Sequence, residues 1–238
     1  MKIEIWSDFV CPFCYIGKRL LEQALDSFEQ RDKVEVIYRS YELQPDAKSD
    51  ESISMHEMLA KKLGVPTEEA VMMNDQVREH AATVGLDYQF DSMKQTNTMD
   101  AHRLLKYAET VGKASVYTER LFSAHFTESA FIGSRETLLR LAHEAGLDQV
   151  RAEEVLSSDA YAPDVRRDQL EGQTIGVKGV PFFVFNRKYA ISGAQPLELF
   201  KETLKQVWNE ENNSSEGHRI EQNGNVCIGD GCEAEIKE

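Results

Sequence analysis

The first forty residues change from a two-residue hydrophobic period to a helical one and back. In "KIEIWS" (2–7), Ile3 and Ile5 alternate with polar neighbours, which predicts a strand. From Pro12 onward apolar residues recur one helical turn apart, and proline is favoured in the first turn of a helix. "VEVIYRSY" (34–41) is rich in β-branched and aromatic residues and predicts a second strand. The chain therefore opens β-α-β, with a connection long enough for parallel strands.

The rest of the chain divides into a helical block, a hairpin, a helix and a polar end. Residues 54–176 have a helical hydrophobic period almost throughout, and several of the predicted helices end at glycine. "PFFVFN" (181–186) and "YAISG" (189–193) predict a β-hairpin, and "PLELFKETLKQVW" (196–208) predicts a closing helix. Residues 209–238 are polar and rich in Gly, Asn and Ser, which favours a flexible extension.

These elements predict an α/β protein with one mixed sheet. We expect residues 1–53 and 177–208 to form the sheet domain in the order β-α-β … β-β-α. Residues 54–176 would form an all-helical insertion over one edge of that sheet. Residues 209–238 would form the C-terminal extension.

Composition narrows the class of protein further. The 238 residues are 41% hydrophobic, enough for a core without disulfides. The formal net charge of −14 disfavours binding to nucleic acid or to an anionic membrane surface. The N-terminal "MKIEIWSDF" has no apolar run of secretory length, so we expect a cytoplasmic protein. Disulfides in that compartment are usually transient or catalytic.

Two of the four cysteines stand three residues apart at the start of the first predicted helix. Residues i and i+3 of a helix lie about 5–6 Å apart on one face, within reach of a disulfide. Cys11 would begin the helix, where free N–H groups and the helix dipole favour a thiolate. Cys14, one turn inside, would be less exposed. The spacing predicts a nucleophile at Cys11 and a resolving thiol at Cys14.

Two other interpretations of this pair remain open. The same spacing supplies half of many zinc sites, and buried cysteines can also simply pack in a core. The strand that leads directly into a helix favours the redox interpretation, because zinc-binding pairs usually lie on tight turns.

The segment "GVPFF" (179–183) places a proline at the start of a predicted buried strand. Proline cannot donate a hydrogen bond to a sheet, so its presence there needs a reason. A cis Val180–Pro181 bond would leave the backbone N–H and C=O of Val180 unpaired and able to bind an extended peptide. An ordinary trans proline at a strand start is the alternative.

Asp8 stands three residues before Cys11, at the end of the first predicted strand. It could accept a proton from Cys14, or it could be an ordinary acid near a helix entry. The six histidines are scattered over the chain, three of them on separate predicted helices, and indicate no metal site. We therefore expect neither a metal nor another cofactor.

This combination of motifs resembles the thioredoxin-fold DsbA family. Over residues 1–208 it comprises a strand, Cys-Pro-Phe-Cys at a helix start, a helical insertion, Gly-Val-Pro before a hairpin, and a last helix. "WSDFVCPFCYIGK" and "NTMDAHRL" are similar to the cytoplasmic FrnE-like branch, which is related to 2-hydroxychromene-2-carboxylate isomerases and kappa-class glutathione transferases. The resemblance implies disulfide oxidoreductase or isomerase activity. It also implies that Cys11 attacks, Cys14 resolves, and a cis Pro181 faces them.

The sequence departs from its relatives at two points. The isomerases and kappa transferases usually have a serine where Cys11 stands, so both cysteines here argue against glutathione-dependent isomerisation. Phe13 replaces the histidine often found between the cysteines of periplasmic DsbA, so we expect a less extreme oxidant.

A second cysteine pair lies near the end of the chain. Cys227 and Cys232 are five positions apart, with glycines between them that permit a tight turn. The pair resembles the C-terminal Cys-x4-Cys extension of some FrnE-like proteins. It could be a second redox pair that exchanges with Cys11 and Cys14, a clasp of the tail, or part of a zinc site shared by both pairs. All three interpretations remain open.

Together these features predict a cytoplasmic thiol–disulfide oxidoreductase or isomerase with a redox-active Cys-Pro-Phe-Cys centre. Its expected partners are thiol- or disulfide-containing proteins, with glutathione as a further candidate, and neither nucleic acid nor membrane. One alternative is a glutathione-dependent isomerase or transferase. The other is a redox-linked holdase chaperone that binds unfolded peptides around Val180 and Pro181.

Overall fold

The order of strands and helices follows the predicted pattern, and a computed structural model describes residues 1–216. The first part contains β1 (Lys2–Ser7), α1 (Pro12–Asp26) and β2 (Glu35–Ser40). The middle contains β3 (Asp50–Ser54), α2 (Met55–Leu63), α3 (Thr67–Ala82), β4 (Lys94–Gln95), α4 (Met99–Thr110), α5 (Ala114–Phe126), α6 (Arg135–Glu144), α7 (Gln149–Leu156) and α8 (Ala162–Thr174). The last part contains β5 (Phe182–Phe185), β6 (Tyr189–Ser192) and α9 (Leu197–Glu216).

The main sheet has four strands in the order β2-β1-β5-β6. β1 and β2 are parallel, with Lys2 opposite Glu35 and Ser7 opposite Ser40. β5 is antiparallel to β1, and β6 is antiparallel to β5. A β-α-β unit and a β-β-α unit that share one mixed sheet form the thioredoxin fold, so the predicted fold class is confirmed.

Each face of the sheet packs against a different layer of helices. Ile3 and Ile5 of β1 lie in the main core together with Phe183 of β5, on the face covered by α1 and α9. Trp6 points to the opposite face, as the two-residue period of a strand requires. There its Nε1 donates a hydrogen bond of 2.8 Å to the backbone carbonyl of Asp168 in α8. The sheet is thus the middle layer of three.

The insertion shares its core with the sheet domain. The ring of Tyr15 in α1 stacks on Phe122 in α5, with centroids 5.1 Å apart, and on Tyr88 at 6.3 Å. A second, two-stranded sheet lies at the boundary of the insertion, where β3 pairs with β4. A strand of two residues is too short to produce a hydrophobic period, so the sequence pattern does not indicate it.

The closing helix is longer than its hydrophobic pattern predicts. The flexible extension expected from residue 209 is wrong for residues 209–216, which continue α9. Polar contacts hold this part: Tyr189 donates to Glu210 at 2.5 Å, and Asn186 donates to Glu211 at 3.1 Å. α9 is the longest of the described helices, and no helix among residues 1–216 is both long and apolar enough to cross a bilayer.

A buried ion cluster joins the insertion to the sheet. Asp168 of α8 is 3% exposed and accepts hydrogen bonds from the Ser40 N–H at 2.9 Å and from Arg39 at 3.2 Å. Its carboxylate also contacts Lys106 of α4, which is itself buried. Buried charges are tolerated only when they are paired and hydrogen-bonded. The cluster therefore fixes α4 and α8 against β2.

We predict that Asp168→Asn lowers the free energy of unfolding by about 3–5 kcal/mol, because it leaves the buried Lys106 charge less compensated. The matched control is Asp164→Asn on the same helix, whose partner Arg167 is exposed. It should cost less than about 1 kcal/mol. Urea unfolding of both variants measures the difference, and equal losses would contradict this account.

Candidate active site

The first cysteine pair lies where β1 turns into α1. Cys11 is the N-cap residue of α1, with extended backbone angles (φ −89°, ψ 113°), and Pro12 is the first helical residue. The Cys14 N–H donates to the Cys11 carbonyl at 3.0 Å, which places both side chains in the first turn. Both are free thiols, and they are 4% and 2% exposed respectively. The structure thus brings together the pair that the spacing predicts.

The Cys11 thiol faces the loop before β5. Its Sγ donates to the backbone carbonyl of Val180 at 3.4 Å. The Val180–Pro181 peptide bond is cis, as the resemblance implies. The Val180 carbonyl, expected to be unpaired, is therefore in contact with Cys11 when the pair is reduced.

Gly17 allows α1 to lie close to this loop. A Cβ atom at Gly17 would be 3.0 Å from Cζ of Phe183 and 3.1 Å from Cγ of Pro181, tighter than ordinary carbon contacts. A side chain at this position would push the helix away from the loop. The glycine about one and a half turns into α1 therefore permits the close approach of the helix to the cis proline.

Cys14 is the deeper of the two thiols. The backbone N–H of Asp8 donates to its Sγ at 3.5 Å. Burial raises the pKa of the Cys14 thiol well above its ordinary value, and its contact with Cys11 raises it further. Cys14 is therefore a protonated thiol at neutral pH, and it must lose a proton before it can act as a nucleophile.

Asp8 is buried behind the pair, with 1% of its surface exposed. Its Oδ2 accepts from the Leu43 N–H at 2.7 Å, and its Oδ1 lies 3.3 Å from Nε2 of His102 in α4. The backbone amide of Asp8 and the side chain of Ser7 are thus the donors close to Cys14, while the Asp8 carboxylate is engaged by Leu43 and His102. Proton acceptance from Cys14 by Asp8 stays a prediction.

The insertion contributes residues to the site that sequence reasoning missed. The hydroxyl of Tyr88, which is fully buried, donates to the Pro12 carbonyl at 2.7 Å. His102 belongs to the "NTMDAHRL" segment. The similarity of that segment to the FrnE-like branch is the feature of the sequence that could have indicated this histidine. His125 in α5 is also buried, and desolvation lowers its pKa to about 4, so it is neutral at physiological pH.

A charged cluster holds the other side of α1. Lys18 and Arg19 both form ion pairs with Glu119 of α5, and the Tyr15 hydroxyl donates to the same carboxylate at 2.8 Å. Burial by itself raises the pKa of Glu119, but hydrogen bonds from Arg19 and Lys18 lower it to about 2. The carboxylate is therefore ionised over the physiological range, and α1 is anchored to the insertion.

The residue between the cysteines that faces solvent is Phe13. It is 40% exposed, and its ring centroid lies 6.2 Å from that of His80 at the end of α3. An imidazole thus lies beside the motif, although it comes from the insertion rather than from the position between the cysteines. The second predicted pair, Cys227 and Cys232, lies outside the described residues.

The fold and the site together define a class of protein. A free cysteine pair begins the first helix of a thioredoxin fold and faces a cis proline, which is the arrangement of a thiol oxidoreductase. The chain belongs to the DSBA-like thioredoxin domain family, whose model matches residues 2–205. The family resemblance stated from the sequence is therefore confirmed.

Several known proteins are similar to this chain, and three of them illustrate the range. The crystal structure of a probable DsbA oxidoreductase, SCO1869 from Streptomyces coelicolor, has a TM-score of 0.83 and 37% identity, covering 99% of each chain. The uncharacterized protein YwbO of Bacillus subtilis (strain 168) is 27% identical over 207 residues, 86% of this chain and 96% of its own. The cytosolic disulfide reductase DsbM from Pseudomonas aeruginosa shares the fold, with a TM-score of 0.64 and 16% identity over 88% of this chain and 100% of its own.

Reduced Cys14 should resist alkylation at pH 7, because burial raises its pKa and leaves little thiolate to react. Treatment with iodoacetamide and peptide mapping by mass spectrometry measures its modification. We expect Cys14 to react at least about tenfold more slowly in the native protein than in urea, and faster as the pH rises. Equal rates in native and unfolded protein would contradict the assignment.

Proposed function

We propose that this chain is a cytoplasmic thiol–disulfide oxidoreductase and isomerase that acts on protein cysteines through Cys11 and Cys14. The observation that carries the proposal is the asymmetry of the pair. Cys11 lies against the Val180 carbonyl beside cis Pro181, whereas Cys14 is deeper and has a raised thiol pKa. Two-step exchange requires one sulfur to meet the substrate and a second to resolve the mixed disulfide.

In the oxidising direction, a substrate thiolate attacks Sγ of Cys11 in the Cys11–Cys14 disulfide. A mixed disulfide forms on Cys11, and Cys14 leaves as a thiolate that takes up a proton. A second substrate thiolate then attacks the substrate sulfur of the mixed disulfide, so the substrate leaves oxidised and Cys11 leaves as a thiolate. The reverse steps reduce or rearrange a substrate disulfide.

The surface beside Cys11 supports an extended peptide as the substrate. Among residues 1–216, the Val180 N–H makes no hydrogen bond, and it adjoins the carbonyl that faces Cys11. The exposed ring of Phe13 offers apolar contact on the other side of the pair. Backbone groups of this kind bind a peptide strand of almost any sequence. Protein thiols and disulfides are thus the proposed substrates, with glutathione as the small thiol that exchanges with the pair.

Asp8 is included in the proposal as the acceptor of the Cys14 proton. Its burial beside Cys14, and the contact of its own amide with that sulfur, support this role. The Asp8 carboxylate already accepts hydrogen bonds from the Leu43 N–H and from His102. The proton from Cys14 would therefore bind to a carboxylate that these two donors hold in place.

Cys11→Ser should reduce the rate of insulin reduction to that of the uncatalysed reaction, because the attacking sulfur is lost. Cys14→Ser should instead accumulate mixed disulfides on Cys11, since the resolving thiol is missing. Mass spectrometry of acid-quenched protein separates the two cases. Insulin reduction that survives Cys11→Ser would overturn the proposal. Suppression of aggregation that survives it would favour the holdase chaperone.

The tail pair is proposed to exchange disulfides with Cys11 and Cys14. A tethered thiol has an effective concentration on the order of millimolar, which favours such an exchange. Cys232→Ser should therefore slow turnover on protein substrates several-fold and leave the reduction potential of the Cys11–Cys14 pair unchanged. Insulin turnover with glutathione as reductant tests this, and an unchanged turnover would remove the exchange model.

A further inference from the structure

His102 lies directly behind the cysteine pair, although it belongs to the insertion. Its Nε2 is 3.3 Å from Oδ1 of Asp8, both side chains are 1% exposed, and its ring packs 4.9 Å from that of Phe9. A carboxylate oxygen only accepts hydrogen bonds, so Nε2 carries the hydrogen when Asp8 is ionised. Within the described residues the buried Nδ1 has no hydrogen-bond partner. The polar contact of His102 is therefore directed at Asp8.

Asp8 in turn holds both cysteines through its backbone. Its N–H donates to Sγ of Cys14 at 3.5 Å, and its carbonyl accepts from the Cys11 N–H at 3.1 Å. Within the described residues, its carboxylate accepts from two donors, His102 and the N–H of Leu43. Loss of one donor would leave a buried carboxylate short of a partner, and the peptide groups on either side of it would shift.

We propose that His102 is a positioning residue for the redox pair. By donating to Asp8, it holds the backbone N–H that donates to Cys14. A hydrogen-bond donor stabilises a sulfur that carries negative charge more than it stabilises a neutral thiol or a disulfide sulfur. His102 therefore favours the Cys14 thiolate that forms transiently and attacks a mixed disulfide on Cys11. This inference rests on the proposed function and assigns part of the redox chemistry to the helical insertion.

Three variants of the full chain test this role. His102→Leu removes the donor and keeps apolar bulk beside Phe9, whereas His102→Gln keeps an N–H donor of similar reach. Leu104→Val is the matched control, because Leu104 is fully buried on α4 and lies about 200° around the helix from His102. His102→Phe replaces His102→Leu if the leucine variant does not fold.

The reduction potential comes from equilibration in glutathione buffers, with trapped thiols counted by mass spectrometry. Reduced protein mixed with oxidised glutathione releases one glutathione as the mixed disulfide forms on Cys11 and a second when Cys14 attacks it, so the rate of the second release gives the resolving rate. For His102→Leu we expect resolution at pH 7 to be about tenfold slower, because less of the Cys14 thiolate forms. The reduction potential at pH 7 should change much less, because Cys14 of the reduced pair is a protonated thiol. His102→Gln should restore the resolving rate, and Leu104→Val should change stability alone.

The outcomes separate the inference from the proposed function. A wild-type pair that glutathione does not oxidise reversibly would overturn the proposed function and the inference with it. A wild-type pair that titrates normally, with a resolving rate that His102→Leu leaves unchanged, would overturn only the inference. The inference alone would also fail if His102→Gln slowed resolution as much as His102→Leu does, because loss of the N–H donor would then not be the cause.

Discussion

The burial of the Asp8 carboxylate is the constraint on which the candidate site depends. A charged group that is 1% exposed needs hydrogen-bond donors, because its removal from water is otherwise too unfavourable. The Leu43 N–H and His102 supply them. The same two donors fix the residue whose backbone contacts Cys11 and Cys14. The requirement to satisfy one buried charge therefore shapes the environment of both sulfurs.

The helical insertion therefore contributes side chains to the candidate site in addition to packing against the sheet. α4 supplies His102, and the segment before β4 supplies Tyr88, which holds the Pro12 carbonyl. α5 supplies Glu119, which anchors α1 from its other side. On the opposite face of the sheet, Asp168 ties α8 to β2. Because these contacts are polar and directional, the insertion is coupled to the cysteine pair through a few hydrogen bonds with defined geometry.

Local features of the fold can be predicted from the sequence, because each depends on residues close together in the chain. The strand around Ile3 and Ile5 and the start of α1 at Pro12 follow from hydrophobic period and proline geometry. The contact between Asp8 and His102 joins residues 94 positions apart, and a lone histidine in a helical segment is compatible with many partners. Residues 209–216 are helical although polar, because side chains from the β5–β6 hairpin hold them.

The two sulfurs contact segments that are far apart in the sequence but meet at one end of the sheet, where the end of β1 pairs with the start of β5. Cys14 receives the N–H of Asp8 after β1, whereas Cys11 donates to the Val180 carbonyl before β5. A thiol donates only while it carries its hydrogen, so the Cys11–Val180 hydrogen bond is lost when Cys11 enters a disulfide. The Val180 carbonyl is then an acceptor without that donor, next to an N–H that is unpaired in the described part of the chain. The backbone of an extended peptide supplies both partners. Under the proposed function, oxidation of the cysteine pair would free this edge for the segment that carries the substrate thiol.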